Sequence, residues 1–185
     1  MSVKRINAPL DEKTIGSLNA GDEVLLSGII YTARDQAHLR ISKMIDKGEK
    51  LPIELKNQIF YYCGPAPSGG KIIGSCDPTT SSRMDPFTEK LLRHGLKGMI
   101  GKGSRSSEIK ESITQNKAVY FLAPGGAGAY LSKKVKACEL VGFEDLGPEA
   151  IYKLNVEDFP LVVGIDSRGK DVLEKVKNKN IKNEK

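Results

Sequence analysis

The sequence predicts an α/β domain in which helices flank a central, mostly parallel sheet. Two observations support this fold class. Short apolar segments rich in β-branched residues alternate with segments of helical periodicity, above all from residue 71 onward. The connections between them are short and rich in glycine, proline and serine. Because a helix between two strands normally returns the chain in the same direction, this alternation favours parallel pairing, while the early strands are free to fold back antiparallel.

The first part of the chain is expected to lead into a buried strand and a helix. Residues 1–22 are predicted as an extended arm, and the apolar run 23–32 (EVLLSGIIYT) as a buried strand. Asp35 is expected to cap the next helix, over 37–46. Residues 64–70 (GPAPSGG) are the strongest loop signal. The other predicted strands are 53–62, 71–75, 98–100, 118–123, 141–144, 154–156 and 160–165, and the other predicted helices are 86–94, 106–116, 129–135 and 171–178.

Length and charge indicate one domain and argue against a nucleic-acid-binding protein. The 185 residues are 39% hydrophobic and 28% charged, which is typical of a globular domain. We predict a single domain over 1–170 and a lysine-rich tail over 171–185. Residues 168–185 carry seven basic and three acidic side chains, a surplus of four, so the rest of the chain accounts for only two of the net charge of +6. The basic character therefore lies mainly in the tail and forms no stripe interleaved with aromatic residues.

The cellular setting is expected to be the cytoplasm. No apolar run approaches the ~20 residues that a membrane span needs, and the N-terminal residues lack the apolar core of a secretory signal. The three cysteines, Cys63, Cys76 and Cys138, lack the spacing of a metal or disulfide motif. We expect them to be small buried thiols, and we expect no metal site in this chain.

Polar loops follow four of the predicted strands, at the edge where parallel α/β sheets bind ligands. The loops are 34–38 with Arg34 and His38, 77–83 with its threonines and serines, 101–106 with Lys102, and the glycine-rich 124–128. Cations and hydroxyl groups around one crevice suit a small dianion, such as a dicarboxylate or a phosphorylated metabolite. Each feature also has a structural interpretation. Arg34 and Asp35 also fit a helix cap with its surface partner, the threonines and serines of 77–83 fit turn hydrogen bonding, and Lys102 fits a solvated lysine. The loop 124–128 also fits a tight turn, and His38 a surface or capping histidine.

Four segments in this order resemble the β subunit of class I, iron–sulfur-dependent fumarate hydratase, and the related β subunit of L-tartrate dehydratase. They are YTARDQAHLR (31–40), GPAPSG (64–69), DPTTSSRMD (77–85) and GKGSRS (101–106). The resemblance implies a swivelling β/α/β domain and a hydro-lyase that interconverts fumarate and L-malate. It also implies a [4Fe–4S] cluster held by a partner α subunit, and either a homodimer of this chain or an α₂β₂ heterotetramer.

The resemblance also implies roles for five residues. Arg34 and Arg83 would bind the substrate carboxylates, with Lys102 as a third positive contact, and Thr79 would be the catalytic base, with Thr80 as the alternative. The sequence departs from the family pattern at Asp77 and Ser82, where many relatives have glycine. This departure leaves fumarate and tartrate both open as substrates. A non-catalytic module that binds small anions or nucleotides is the remaining alternative.

Overall fold

The computed structural model describes residues 3–176. In this part of the chain, seven strands form one sheet, which is accompanied by five α-helices, two 3₁₀ segments and a helical segment that begins at residue 172. The strands are β1 (Lys4–Ala8), β2 (Glu23–Thr32), β3 (Ile59–Tyr61), β4 (Gly98–Gly101), β5 (Val119–Leu122), β6 (Val135–Gly142) and β7 (Ile151–Ile165). The helices are α1 (Glu12–Ser17), α2 (Asp35–Asp46), α3 (Asp85–Arg93), α4 (Ser107–Gln115) and α5 (Gly128–Ser132), and the 3₁₀ segments are Ser81–Met84 and Glu144–Glu149.

The sheet is mixed and closes on itself. The strand order is β1-β2-β3-β4-β5-β7-β6, and an additional pairing between β2 and β7 makes it barrel-like. Strands β1 to β5 pair in parallel with their neighbours, whereas β7 is antiparallel to β2, β5 and β6. The predicted α/β class with a central sheet flanked by helices is confirmed. The closure of the sheet was not predicted.

Strand β7 differs most from the prediction. The sequence suggested two short strands, 154–156 and 160–165, but the structure has one continuous strand of 15 residues. Asp158 adopts a left-handed conformation (φ 49°) and Pro160 lacks an N–H group, so both are local signals for a break. Pairing with β2 on one edge and with β5 and β6 on the other overrides these signals.

Several further local predictions are wrong. Residues 53–58 lie outside β3, and β6 (Val135–Gly142) begins well before the strand predicted over 141–144. Residues 1–22 contain β1 and α1 instead of an extended arm. Asp11 caps α1 by accepting a hydrogen bond from the Thr14 N–H at 2.7 Å. Helix α1 buries Ile15. Asp35 is the first residue of α2, and Arg34 occupies the cap position. Residues 71–75 lie outside the sheet, because this apolar run belongs to the loop that begins at Gly64.

The C-terminal segment is described only in part. Residues 172–176 are helical, as predicted, and Asp171 forms an isolated β-bridge with Ile165. The rest of the predicted helix and tail, 177–185, lies outside the described residues, so the division at residue 170 stays a prediction. No helix within 3–176 has the length and apolar character needed to cross a membrane.

The core has two parts, one on each face of the sheet. Strand β3 shows the division: Ile59 and Tyr61 pack inside the closed sheet, whereas Phe60 and Tyr62 pack beneath the helices. This alternation follows from the two-residue period of a strand. Burial of each of these side chains contributes about 1.5–3 kcal/mol to the free energy of folding. Although β3 is short, it is therefore well anchored in the core, and so is the start of the loop that follows it.

Candidate functional site

A cleft of about 560 Å³ lies at the carboxyl ends of β2, β3 and β4. All five predicted site residues line it: Arg34, Thr79, Thr80, Arg83 and Lys102. The other lining residues are Gly64, Pro65, Ala66, Pro67, Ser75, Asp77, Pro78 and Pro148. Three neighbouring parallel strands end at this edge, and each is followed by a loop that reaches the cleft. The structure therefore brings the predicted residues together, while their individual roles stay predictions.

The two arginines of the cleft share one carboxylate, that of Asp35. The Nε of Arg83 donates to Asp35 Oδ1 at 2.8 Å, and the Nε of Arg34 lies 3.3 Å from Asp35 Oδ2. Burial is the largest influence on the Asp35 pKa and raises it, but hydrogen bonding to its own backbone amide and the two guanidinium groups more than offset burial, so the pKa is lowered. Asp35 therefore stays ionised at neutral pH.

Several contacts fix Arg34 at the start of α2. Glu149, in the second 3₁₀ segment, accepts a hydrogen bond from the Gln36 N–H at 2.8 Å, and its other oxygen lies 3.6 Å from Arg34 Nε. Gly64 lies against the Arg34 side chain: a Cβ at this position would approach Arg34 Nη1 to 3.2 Å. Glu149 was missed by sequence reasoning, because it belongs to no motif and lies far along the chain.

Main-chain hydrogen bonds hold residues 77–83, the threonine loop, against the ends of β3 and β4. The Thr79 N–H donates to the Tyr62 carbonyl at 2.6 Å, and the Ser81 N–H donates to the Lys102 carbonyl at 2.9 Å. Thr80 and Lys102 form a parallel β-bridge. Gly101 permits this approach, since a Cβ there would lie 2.0 Å from Ser81 Oγ. The loop is thus held from both sides, with Thr79 partly exposed and Thr80 exposed in the cleft.

Lys102 faces a carboxylate, that of Asp77. Its Nζ lies 3.5 Å from Asp77 Oδ2, and Asp77 Oδ1 accepts a hydrogen bond from the Gly128 N–H at 3.2 Å. The glycine-rich loop 124–128 was one of the four candidate ligand-binding loops, with a tight turn as the alternative. It instead supports Asp77 from behind and does not line the cleft.

Beneath the cleft, a buried ion pair joins the first residue of α3, just after the threonine loop, to residues 101–106, the lysine loop. The side chain of Arg105 is fully buried; its Nε donates to Asp85 Oδ1 at 2.6 Å and its Nη2 to Thr88 Oγ1 at 2.7 Å. The Ser106 N–H donates to the second Asp85 oxygen at 2.9 Å. The Arg105 guanidinium also lies 5.2 Å from the ring centre of Tyr120. Sequence reasoning gave Arg105 and Asp85 no role, although both stand inside the quoted motifs.

His38 is buried, so the expectation of a surface or capping histidine is wrong. Its Nδ1 lies 2.9 Å from the Arg34 carbonyl, and its ring packs edge-on against Phe60 and Tyr62. Burial, the largest influence, lowers the pKa of His38 to about 4. The ring is therefore neutral, Nδ1 donates to the carbonyl, and Nε2 has no hydrogen-bonding partner within residues 3–176.

The charge of the cleft suits a dianion. Its charged lining residues are three cations, Arg34, Arg83 and Lys102, and one carboxylate, Asp77, which together give a formal charge of +2. The remaining chemistry is that of hydroxyl groups and main-chain atoms. Within the described part of the chain, no three His, Cys, Asp or Glu side chains are grouped so as to hold a metal ion. Two of the three thiols, Cys63 and Cys76, are buried as predicted, whereas Cys138 is only partly buried.

Comparison with known proteins gives consistent matches. The family model described as "Fumarase C-terminus" matches residues 2–176. Over 177 residues, the chain is 39% identical to a protein of Methanocaldococcus jannaschii named "Putative L(+)-tartrate dehydratase subunit beta", a match that covers 92% of this chain and 91% of that protein.

Two longer proteins also match. The chain is 34% identical over 183 residues to the anaerobic class I fumarate hydratase of Escherichia coli, and 35% identical over 175 residues to fumarate hydratase 2 of Leishmania major. These matches cover 96% and 92% of this chain but only 33% and 31% of the two hydratases. The chain thus spans about a third of the length of these relatives.

Proposed function

The chain belongs to the family of fumarase C-terminal domains, and from this premise we propose that it is the β subunit of a two-subunit class I fumarate hydratase. The complex would be a hydro-lyase that interconverts fumarate and L-malate. The observation that carries the proposal is the cleft, in which two guanidinium groups, one ammonium group and two threonines face a space with a formal lining charge of +2. That charge matches a four-carbon dicarboxylate dianion.

In the proposed reaction, the cations act on charge that develops as a proton is removed. Arg34 and Arg83 bind the two carboxylates through planar guanidinium groups, and Lys102 contributes a point charge beside them. Removal of a proton next to a carboxylate places negative charge on that carboxylate. Fixed cations stabilise the transition state more than the ground state, because the added charge exists only there.

Thr79 is the proposed base, with Thr80 as the alternative. A threonine hydroxyl is a weak base in water, so this role requires neighbouring groups that stabilise its deprotonated form. Thr79 is suitably placed, because its main chain is held by the Tyr62 and Lys102 backbones and it shares the cleft with all three cations.

The iron–sulfur cluster of the proposed enzyme is assigned to the partner α subunit. Apart from the Asp77 carboxylate, the polar side chains of the cleft are N–H and O–H donors, which fit substrate carboxylates better than they fit iron. When bound, the cluster would supply a Lewis acid for the substrate hydroxyl group. The cleft of this chain would cover the substrate from the other side, as the swivelling domain of a cytoplasmic α₂β₂ heterotetramer.

The test is co-expression with an α-type partner under anaerobic conditions, followed by an assay of fumarate hydration. The wild-type complex should convert fumarate to L-malate, and Arg83→Ala should lower kcat/KM at least about 100-fold while the complex still assembles. Arg93→Ala is the matched control, since Arg93 is an exposed arginine on α3 that pairs with Glu89 away from the cleft. Wild-type turnover by Arg83→Ala would contradict the assignment.

L-tartrate is the second candidate substrate. It is favoured by the M. jannaschii relative, whose printed name is that of a tartrate dehydratase subunit and which is matched over 91% of its length. The same complex should be assayed for dehydration of L-tartrate. A complex that turns over neither acid, although the chain binds a dicarboxylate, would support the non-catalytic anion-binding module instead.

A further inference from the structure

The two arginines of the cleft come from different loops and meet at one carboxylate behind them. Asp35 offers one oxygen to each: Oδ1 to Arg83 at 2.8 Å and Oδ2 to Arg34 at 3.3 Å. Asp35 is not among the residues that line the cleft. Its effect on a ligand would therefore pass through the arginines.

Both arginines contact Asp35 through Nε, and this decides which of their nitrogens are available to bind a ligand. A guanidinium group can present a pair of parallel N–H donors to a carboxylate. Because Nε is engaged by Asp35, the edge formed by the two terminal nitrogens is directed away from it. Within residues 3–176, the terminal nitrogens of Arg34 and Arg83 have no hydrogen-bonding partner of their own. Each arginine thus retains a two-donor edge for an incoming carboxylate.

The carboxylate is rigidly held, whereas Arg83 alone is not. Asp35 begins a 12-residue helix, where the helix dipole favours a negative charge, and its side chain is 22% exposed. Arg83 lies on a short 3₁₀ segment and its side chain is 52% exposed. Without Asp35, two like charges from separate loops would repel each other, and Arg83 would sample many rotamers.

We propose that Asp35 is a positioning residue that holds Arg34 and Arg83 at a fixed separation, so that the pair acts as a single clamp for a dicarboxylate. This inference rests on the proposed function and adds to it a residue that sets the spacing of the two carboxylate sites. A ligand with two carboxylates depends on that spacing, whereas a ligand with one carboxylate needs only one arginine.

The test measures binding of succinate, an unreactive dicarboxylate, and of propionate, a monocarboxylate, to the full chain by NMR titration. In Asp35→Asn, succinate should bind at least about tenfold more weakly, because a charge-assisted contact to each arginine is lost, and propionate should change less than about threefold. The control is Asp46→Asn, the same change on the same helix, where Asp46 pairs with Lys90 at 2.7 Å. This control should bind both ligands like the wild type.

A second measurement uses the wild-type chain and so does not depend on the folding of a variant. The Nε–H protons of Arg34 and Arg83 should exchange with water more slowly than that of Arg93, an exposed arginine whose carboxylate contact is made by Nη2. Equal losses of succinate and propionate binding in Asp35→Asn would indicate a general structural role and overturn the proposal. Unchanged succinate binding, absence of succinate binding by the wild type, or rapid exchange of the two Nε–H protons would overturn it as well.

The proposed function can fail independently of the clamp. If Asp35 governs succinate binding but the co-expressed complex hydrates no fumarate, the clamp stands and the hydratase assignment falls. If the complex is an active hydratase and Asp35→Asn changes neither succinate binding nor the KM for fumarate, the hydratase assignment stands and the clamp falls.

Discussion

His38 should make this protein sensitive to mild acid, and the chain contains its own control. His38 and His94 make the same local contact, in which Nδ1 lies within hydrogen-bonding distance of the carbonyl four residues earlier, at 2.9 Å and 2.8 Å. They differ in burial: His38 is buried against Phe60 and Tyr62, whereas His94 is exposed at the end of α3. The difference between the two therefore isolates the effect of burial.

The sign and size of the effect follow from the lowered pKa. In the folded chain His38 has a pKa of about 4, because burial disfavours the charged ring and Arg105 adds repulsion, against weaker opposing effects of the Arg34 carbonyl and Asp35. In the unfolded chain it titrates near 6.5. Between these values the unfolded state binds a proton that the folded state does not, so stability is full above pH 6.5 and is lost as the pH falls toward 4. The loss between pH 7.5 and 4.5 is about 2 to 3 kcal/mol.

The assay is urea unfolding followed by circular dichroism at pH 7.5 and pH 4.5, on the wild type, His38→Gln and His94→Gln. Carboxylates contribute to the acid loss of all three proteins, so the informative quantity is the difference between them. His38→Gln should lose about 2 to 3 kcal/mol less than the wild type between the two pH values, and His94→Gln should follow the wild type. An equal acid loss in the wild type and His38→Gln would refute the reasoning.

Three further predictions concern stability and thiol reactivity. Arg105→Met should destabilise the chain by about 3 to 5 kcal/mol, because it leaves the Asp85 carboxylate partly buried without its cation; urea unfolding measures this, and a loss below 1 kcal/mol would contradict it. Gly101→Ala should destabilise the threonine loop, because the added Cβ would lie 2.0 Å from Ser81 Oγ. Gly16→Ala should instead stabilise the chain by about 0.5 to 1 kcal/mol, because Gly16 lies in helix α1 and a Cβ there would meet no other atom. A thiol reagent should modify at most Cys138 in the native chain and all three cysteines in urea, because the other two thiols are buried; rapid modification of two or more native thiols would disprove it.

Local sequence patterns were sufficient where local forces decide the structure. The run 23–32 was predicted as a strand and is β2 with the same bounds, because its β-branched and aliphatic residues suit a buried strand and polar residues bound it. Closure of the sheet could not be predicted in this way. It depends on pairing between β2 and β7, which are separated by more than 100 residues, and no local pattern encodes that contact.

The cleft was predicted in part, for a similar reason. Arg34 and Lys102 each follow a strand within a recognisable segment, so their approach to one edge of the sheet follows from the fold class. Thr79 was placed there through a strand predicted over 71–75, which in the structure is part of the long loop after β3. The carboxylate partners of the cations were not predicted. Asp35 was interpreted as a helix cap, since sequence spacing does not show that its side chain contacts Arg83 on another loop. The burial of His38 was missed for the same reason, because it depends on contact with Phe60 of β3.

The pairing of β2 with β7 has a consequence for the chain during translation. About 120 residues separate the end of β2 from the start of β7, and at ~5 to 20 residues per second a ribosome needs roughly 6 to 24 seconds to add them. Throughout that interval one edge of an aliphatic ten-residue strand lacks its partner. An open strand edge of this kind can pair with another chain, so during this interval the nascent polypeptide is exposed to edge-to-edge aggregation.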